Sequence, residues 1–246
     1  MPTDKTNPDT PQNRRLIYGR RQGHRLHPGQ ARRVAEILPE FEPKLSAPDI
    51  SGWFGTRAPE MGFDTYALEI GFGGGEHLAA CAKAAPQTGF IGCEPFINGV
   101  AKLLGHIEAG GLENLCVHHG DARDVMAAMP AGVLDQVFLL YPDPWPKKRH
   151  HKRRFVNQEN LDSLFRVLAP DARLLVATDI AAYADWTLAE IKQHGGFVWR
   201  AQCCADWLGT PADWPGTRYE QKARAACRVP HYLEFSRRNA PVPGAL

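Results

Sequence analysis

The sequence predicts a doubly wound α/β fold, and three observations carry that reading. A regular alternation of strand and helix patterns begins at Tyr66. A glycine cluster follows the first strand at once. Single acids then stand just beyond the second and third strands.

The elements follow in order. Tyr66–Ile70 reads as a strand and Glu76–Ala84 as a helix. Phe90–Glu94 is a strand, and the helix after it carries Phe96, Val100, Leu103, Leu104 and Ile107 on one stripe. Leu115–His118 is a short strand. Val133–Tyr141 is continuously apolar, as expected of a central parallel strand covered on both faces. Asn157–Leu168 places Leu161, Leu164, Phe165 and Leu168 on one helical face; Arg173–Ala177 is the next strand and Ala181–His194 the next helix. Phe197–Gln202 and Arg228–Phe235 are two late strands with no clear helix between them, which suits an antiparallel hairpin closing a parallel sheet. Upstream, Pro28–Leu38 predicts a short helix, and residues 39–64, rich in Pro, Gly and Ser, an irregular connection.

The 246 residues suit one large α/β domain with an N-terminal extension, or two small domains. The longest apolar runs, such as Val133 to Leu140, are too short to cross a bilayer. Met1 to Asn13 is polar and proline-rich, without the apolar core of a secretory signal, so a cytoplasmic location and a disordered tail are expected. The 6 cysteines form no CxxC pair. Small buried thiols are expected, with neither a disulfide framework nor a metal site.

Net charge is only +2, but the charge is unevenly distributed. Arg14, Arg15, Arg20, Arg21, Arg25, Arg32 and Arg33 have no acid between them, and Lys147 to Arg154 reads KKRHHKRR. Two such blocks in a near-neutral chain predict one basic face and a nucleic-acid partner.

The glycine cluster is Gly71-Phe72-Gly73-Gly74-Gly75 after Leu68-Glu69-Ile70. Glycines let backbone approach a ligand closely. The dinucleotide fingerprint wants a glycine where Glu76 stands, and an acid at that helix start sits badly with a pyrophosphate. S-adenosylmethionine carries no phosphate and bears an ammonium, so glycines with nearby carboxylates suit it. Glu94 ends the second strand, where an acid can accept from both ribose hydroxyls. Asp121, after the third strand, is placed to accept from the adenine amine.

After the fourth strand comes Tyr141-Pro142-Asp143-Pro144-Trp145-Pro146. Prolines fix the backbone, so Asp143 and Trp145 are held rigidly at the edge where the methyl donor is expected. Trp145 serves either as a flat surface for a base or as a core plug.

YPDPWPKKRHHKRR, together with LEIGFGGG, IGCE, HGDA, ATD and TRYE, resembles bacterial tRNA (guanine-N7-)-methyltransferase from about Leu68 to Phe235. The resemblance implies the Rossmann-like class I methyltransferase fold, a seven-stranded, mostly parallel sheet with helices on both faces. It implies S-adenosyl-L-methionine as methyl donor, leaving S-adenosyl-L-homocysteine, and guanine 46 of the tRNA variable loop as target. Cofactor contacts carry over onto Glu69, Glu94, Asp121 and Asp143, with Gly71 and Gly73 in the glycine loop. Substrate contacts carry over onto Lys147, Asp179, Thr217, Arg218, Tyr219 and Glu220. The chain then divides into a tail (1–13), a basic extension (14–64), the methyltransferase domain (65–238) and a C-terminal tail (239–246).

Guanine N7 already presents an in-plane lone pair, so the chemistry needs no strong general base. It needs in-line placement, which can supply about 7–11 kcal/mol of a barrier. Positive charge grows on the purine, and a carboxylate beside it stabilises that charge; Asp143 is the candidate. Asp143 could also select guanine through N1–H and N2–H₂, with Asp179 and Glu220 as alternatives. Lys148, Arg149, Arg153 and Arg154 are expected to grip phosphates. An exocyclic-nitrogen or protein-amide methyltransferase is disfavoured by PDPW in place of an Asn/Asp-Pro-Pro-aromatic tetrad. A non-catalytic RNA-binding module is disfavoured by the intact acids, and an NAD-dependent oxidoreductase by Glu76.

Overall fold

The computed structural model describes Gly19, residues 21–212 and residues 214–239. The expected tail 1–13, the basic residues Arg14, Arg15 and Arg20, and all of the C-terminal tail except Asn239 lie outside the described residues.

Two helices precede the sheet, α1 (Pro28–Glu36) and α2 (Leu38–Phe41). The alternation then runs β1 (Thr65–Ile70), α3 (Glu76–Ala84), β2 (Thr88–Cys93), α4 (Ile97–Gly110), β3 (Leu115–His118) and α5 (Ala122–Ala128). It continues through β4 (Leu134–Leu140), α6 (Gln158–Val167), β5 (Leu168–Thr178), α7 (Ala181–His194) and β6 (Phe197–Trp199). Two further helices, α8 (Ala205–Leu208) and α9 (Arg218–Ala225), lead to β7 (His231–Arg237).

The seven strands form one sheet in the order β3-β2-β1-β4-β5-β7-β6. Strands β1 to β5 pair in parallel, and β7 runs antiparallel to both β5 and β6. Alternation along each strand sorts side chains into two cores. Leu68, Ile70, Val137, Leu139, Leu174 and Val176 pack on one face. Ala67, Phe138, Leu140, Leu175 and Ala177 pack on the other. Burial on both faces accounts for the apolar run that marked β4. Strand order reverses between β1 and β4, which opens a crevice at their carboxyl ends.

Three expectations need correction, and one helix was not foreseen. The two late strands do pair antiparallel, as expected, but they are not a hairpin: α8 and α9 lie between them, and β7 inserts between β5 and β6. Helix α9 (RYEQKARA) buries only Glu220 and Ala223, so its apolar stripe is too thin to read. Helix α5 also escapes periodicity, being only 7 residues long. Residues 39–64 are no mere connection, because a 3₁₀ helix, Ser51–Arg57, drives Trp53 and Phe54 into the core, each 1% exposed. Finally, all six cysteines are free, but only Cys93 and Cys116 are buried; Cys203, Cys204 and Cys227 are exposed.

The N-terminal segment is fastened to the domain. Ile97 N–H donates to Arg21 O at 3.1 Å. Gly23 N–H donates to Asn98 Oδ1, and Asn98 Nδ2 to His24 O, both at 2.8 Å. Arg33 Nε reaches Glu108 on α4 at 2.7 Å, and Arg32 pairs with Glu36 and Glu108. Arg32 and Arg33 therefore spend their charge within the fold, which narrows the N-terminal basic block.

Candidate active site

A cleft of about 530 Å³ opens at the carboxyl ends of β1 and β4. Its lining includes Gly71, Gly73, Glu94, Asp121, Asp143 and Tyr219, so six of the expected site residues meet in one place.

The glycine loop turns through the left-handed region, open to the cleft at Gly71 and close to its surroundings at Gly73. Gly73 has φ +58°, and a Cβ there would lie 3.2 Å from the Tyr219 ring. A Cβ on Gly99 of α4 would fall 2.1 Å from Gly73 O, so the first turn of α4 abuts the loop backbone. Gly71 N–H donates to Cys93 O at 2.8 Å, fixing the turn to the end of β2.

Glu94 is buried in this corner. Its Oε2 accepts Gly73 N–H at 2.7 Å and its Oε1 accepts Phe96 N–H at 2.9 Å. Each oxygen keeps a second lone-pair site for a ligand. Burial raises the Glu94 pKa; the two backbone N–H groups oppose this, and the Asp143 and Glu69 charges add to it.

Asp121 is the N-cap of α5, accepting Arg123 N–H at 2.9 Å, and it also pairs with the Arg123 guanidinium, Nη2 to Oδ2 at 2.5 Å. Its carboxylate lines the cleft but is already engaged by its own helix start.

Asp143 opens into the cleft, and the desolvating walls raise its pKa. The loop bearing it is bracketed by two residues in the left-handed region, Tyr141 at φ +50° and Trp145 at φ +42°. Such backbone costs about 1–3 kcal/mol per residue and clusters at functional sites. Trp145 lines the cleft beneath the Arg153 guanidinium, 4.9 Å from its ring, so it joins the wall instead of plugging the core. Tyr141 stacks on Tyr219, ring centroids 6.3 Å apart and 22° between planes. Gly19 also lines the cleft, and a Cβ there would stand 3.7 Å from Asp143 Oδ2.

The other expected site residues lie outside the cleft lining. Glu69 is 2% exposed, beneath the cleft, where it accepts from His77 Nδ1 at 2.8 Å. Asp179 is held by Arg228, Nε to Oδ2 at 2.5 Å. Thr217 caps α9, its hydroxyl accepting Glu220 N–H at 2.9 Å, and Arg218 is the exposed first residue of that helix. Glu220 accepts from Trp214 Nε1 at 2.5 Å and Arg224 Nε at 2.9 Å. Burial would raise its pKa, but those donors outweigh burial and lower it. Lys147 is exposed at the start of the 3₁₀ helix Lys148–Arg153.

Sequence reasoning missed Tyr141, Arg123 and Arg154. Arg154 is 4% exposed and lies against aromatic rings of α7 in the cleft wall, which sets it apart from the exposed Lys148 and Arg149. Arg123 was legible as a cation two residues after Asp121; nothing local marks the other two. Among the described residues there is no cluster of three or more His, Cys, Asp or Glu side chains able to hold a metal. None of the described helices is long and apolar enough to cross a membrane.

A glycine loop after β1, a buried acid after β2 and a capping acid after β3, on a sheet of this order, define a Rossmann-like methyltransferase. A family model described as "Putative methyltransferase" matches residues 64–230. The tRNA (guanine-N(7)-)-methyltransferase of Jannaschia sp. (strain CCS1) is 46% identical, covering 95% of this chain and 99% of its own. That of Ruegeria pomeroyi (strain ATCC 700808 / DSM 15171 / DSS-3) is 49% identical over 95% and 98%. The chain belongs to the tRNA (guanine-N(7)-)-methyltransferase family. The crystal structure of the 16S rRNA methyltransferase KamB shares the fold, with TM-score 0.53 at 18% identity, covering 72% of this chain and 89% of that one.

Proposed function

We propose that this chain transfers a methyl group from S-adenosyl-L-methionine to N7 of guanine 46 in the variable loop of tRNA, in the cytoplasm. The observation that carries the reading is the convergence of Glu94, Asp143 and Tyr219 on one cleft beside a glycine loop. Family membership supports the activity and the substrate class.

The residues fit the donor. The cleft is within the usual range for small-ligand sites, about 300–1,000 Å³. Its acids match the donor's cationic groups, and Glu94 retains acceptor capacity for ribose hydroxyls. Gly71 and Gly73 leave backbone open to the ligand. When bound, the donor supplies an electrophilic methyl on a sulfonium.

The chain's own residues do the rest. Asp143 places negative charge beside the purine, where positive charge grows during transfer. The Tyr141–Tyr219 stack offers a flat aromatic wall next to it. Asp121 and Glu69 act on the donor through the frame they hold, Asp121 by starting α5 and Glu69 through His77. Lys147, Thr217 and Arg218 stand on the substrate side. Asp179 and Glu220 serve the site as fixed partners of Arg228 and Arg224, which leaves guanine selection to Asp143. In this reading residues 14–64 extend the tRNA surface of the domain formed by 65–238.

Unmodified bulk tRNA is incubated with enzyme and labelled donor, digested and resolved into nucleosides, and the modified position is mapped. Label in N7-methylguanosine at position 46 is expected. Label in another nucleoside, or at another position, overturns the reading.

A further inference from the structure

Arg154 ends a basic run, yet its surroundings are those of a core residue. It is 4% exposed. Its Nε donates to Pro144 O at 2.9 Å, and its guanidinium lies 4.8 Å from the Trp186 ring centre and 5.6 Å from that of Tyr183. Among the described residues no carboxylate pairs with it. Burial lowers its pKa, working against the charge. A cation desolvated without a counter-ion is unfavourable unless its donors and ring contacts compensate.

The carbonyl it holds belongs to the residue directly after Asp143. The loop around that carbonyl is strained at Tyr141 and Trp145, and strained backbone persists only where its surroundings fix it. Arg154 is itself fixed. Its N–H donates to His151 O at 2.9 Å, closing the 3₁₀ helix. Its carbonyl accepts from Asn157 Nδ2 at 3.0 Å, and Asn157 Oδ1 caps α6. Its side chain thus ties the Asp143 loop to α7, and its backbone is anchored through Asn157 to the start of α6.

We propose that Arg154 is a positioning residue for methyl transfer: its guanidinium fixes the Pro144–Trp145 peptide, one residue beyond Asp143, and so holds the loop that aims the Asp143 carboxylate into the cleft. This rests on the reading of Asp143 as the acid beside the purine. Lysine cannot replace it, because an ammonium lacks the planar group that lies against two rings while donating sideways to a carbonyl.

Arg154→Lys, Asp143→Asn and the double variant are compared in steady-state tRNA methylation. Circular dichroism and a cooperative thermal unfolding transition report that each is folded. An Arg154→Lys protein that fails this is replaced by Arg154→Gln, whose shorter side chain also loses the contact with both rings and carries the same expectations. Arg154→Lys is expected to lower kcat by about tenfold to a hundredfold, the scale of an ångström-sized misplacement. Its tRNA KM and the salt dependence of tRNA binding are expected to stay at wild-type values. The double variant is expected to be no slower than Asp143→Asn alone, since residues acting as a unit are not additive. A wild-type kcat in Arg154→Lys, or losses that add, overturns the proposal. So does a loss confined to tRNA affinity with a salt slope shallower by about 0.7–0.9, which marks a phosphate contact. Asp143→Asn at the wild-type rate overturns the role of Asp143 and this proposal with it. A slow Asp143→Asn beside a wild-type Arg154→Lys overturns only the proposal.

Discussion

Glu94 Oε2 accepts the N–H of Gly73 at 2.7 Å, joining the end of β2 to the glycine loop. The acid that faces the ligand therefore also shapes the loop beneath it. Glu94→Ala is expected to weaken donor binding by about 1.5–3 kcal/mol, the range for hydrogen bonds to a charged group. Calorimetry on the purified variant measures this, and an unchanged dissociation constant would move the ribose contact elsewhere.

Asp143→Ala is expected to abolish transfer while leaving the fold intact, because the side chain faces the open cleft. Desolvation raises the Asp143 pKa, so the wild-type rate is expected to fall toward acid pH with a midpoint above the ordinary aspartate value of about 3.9. A kcat–pH profile supplies the check. Full turnover in well-folded Asp143→Ala would make Asp143 a turn residue only.

The basic run divides by burial. Lys148 and Arg149 are exposed, whereas Arg153 lies over Trp145 and Arg154 is buried. Lys148→Ala with Arg149→Ala is expected to reduce the slope of log affinity against log salt by about 0.7–0.9 per lost phosphate contact. Binding of all tRNAs is expected to weaken alike, with donor affinity unchanged. Filter binding across a salt series reads this; a wild-type slope would make the exposed run an ordinary solvated surface.

His77 and Glu69 form an ion pair, 3% and 2% exposed, with the imidazole packed against Phe138 and Trp214. Burial alone would lower the His77 pKa, but the Glu69 charge together with the hydrogen bonds to Cys81 and Glu69 outweighs it and lifts the pKa to about 10 from 6.5. The folded state thus holds that proton more tightly than the unfolded one. The stabilisation is complete below about pH 6.5 and drains away as pH rises through about 10. Thermal denaturation is expected to show Tm falling across that window, and His77→Gln to flatten the fall. Parallel Tm–pH curves for the two proteins would show that the pair does not govern alkaline stability.

Much of this was legible in the sequence because it is local. The apolar run of β4, the glycine cluster and the acids at strand ends each announce themselves within a few residues. What stayed hidden depends on distant chain. Asp179 is neutralised by Arg228, 49 residues on, and no local pattern shows it. KKRHHKRR reads as uniformly solvated, yet Arg154 is enclosed because Tyr183 and Trp186 arrive on α7. Glu69 looks like a cleft acid, but it is buried against His77, which arrives on α3.

The insertion of β7 between β5 and β6 has a consequence for how the chain acquires its structure. Until residues 231–237 are made, the outer edge of β5 has no neighbour and the three-residue β6 has nothing to pair with. Exposed strand edges invite pairing between chains. On the ribosome, where the N-terminal part emerges first, the sheet stays open on this side until His231 to Arg237 have left the tunnel. Premature termination before His231 is therefore expected to yield not a smaller enzyme but an aggregating polypeptide.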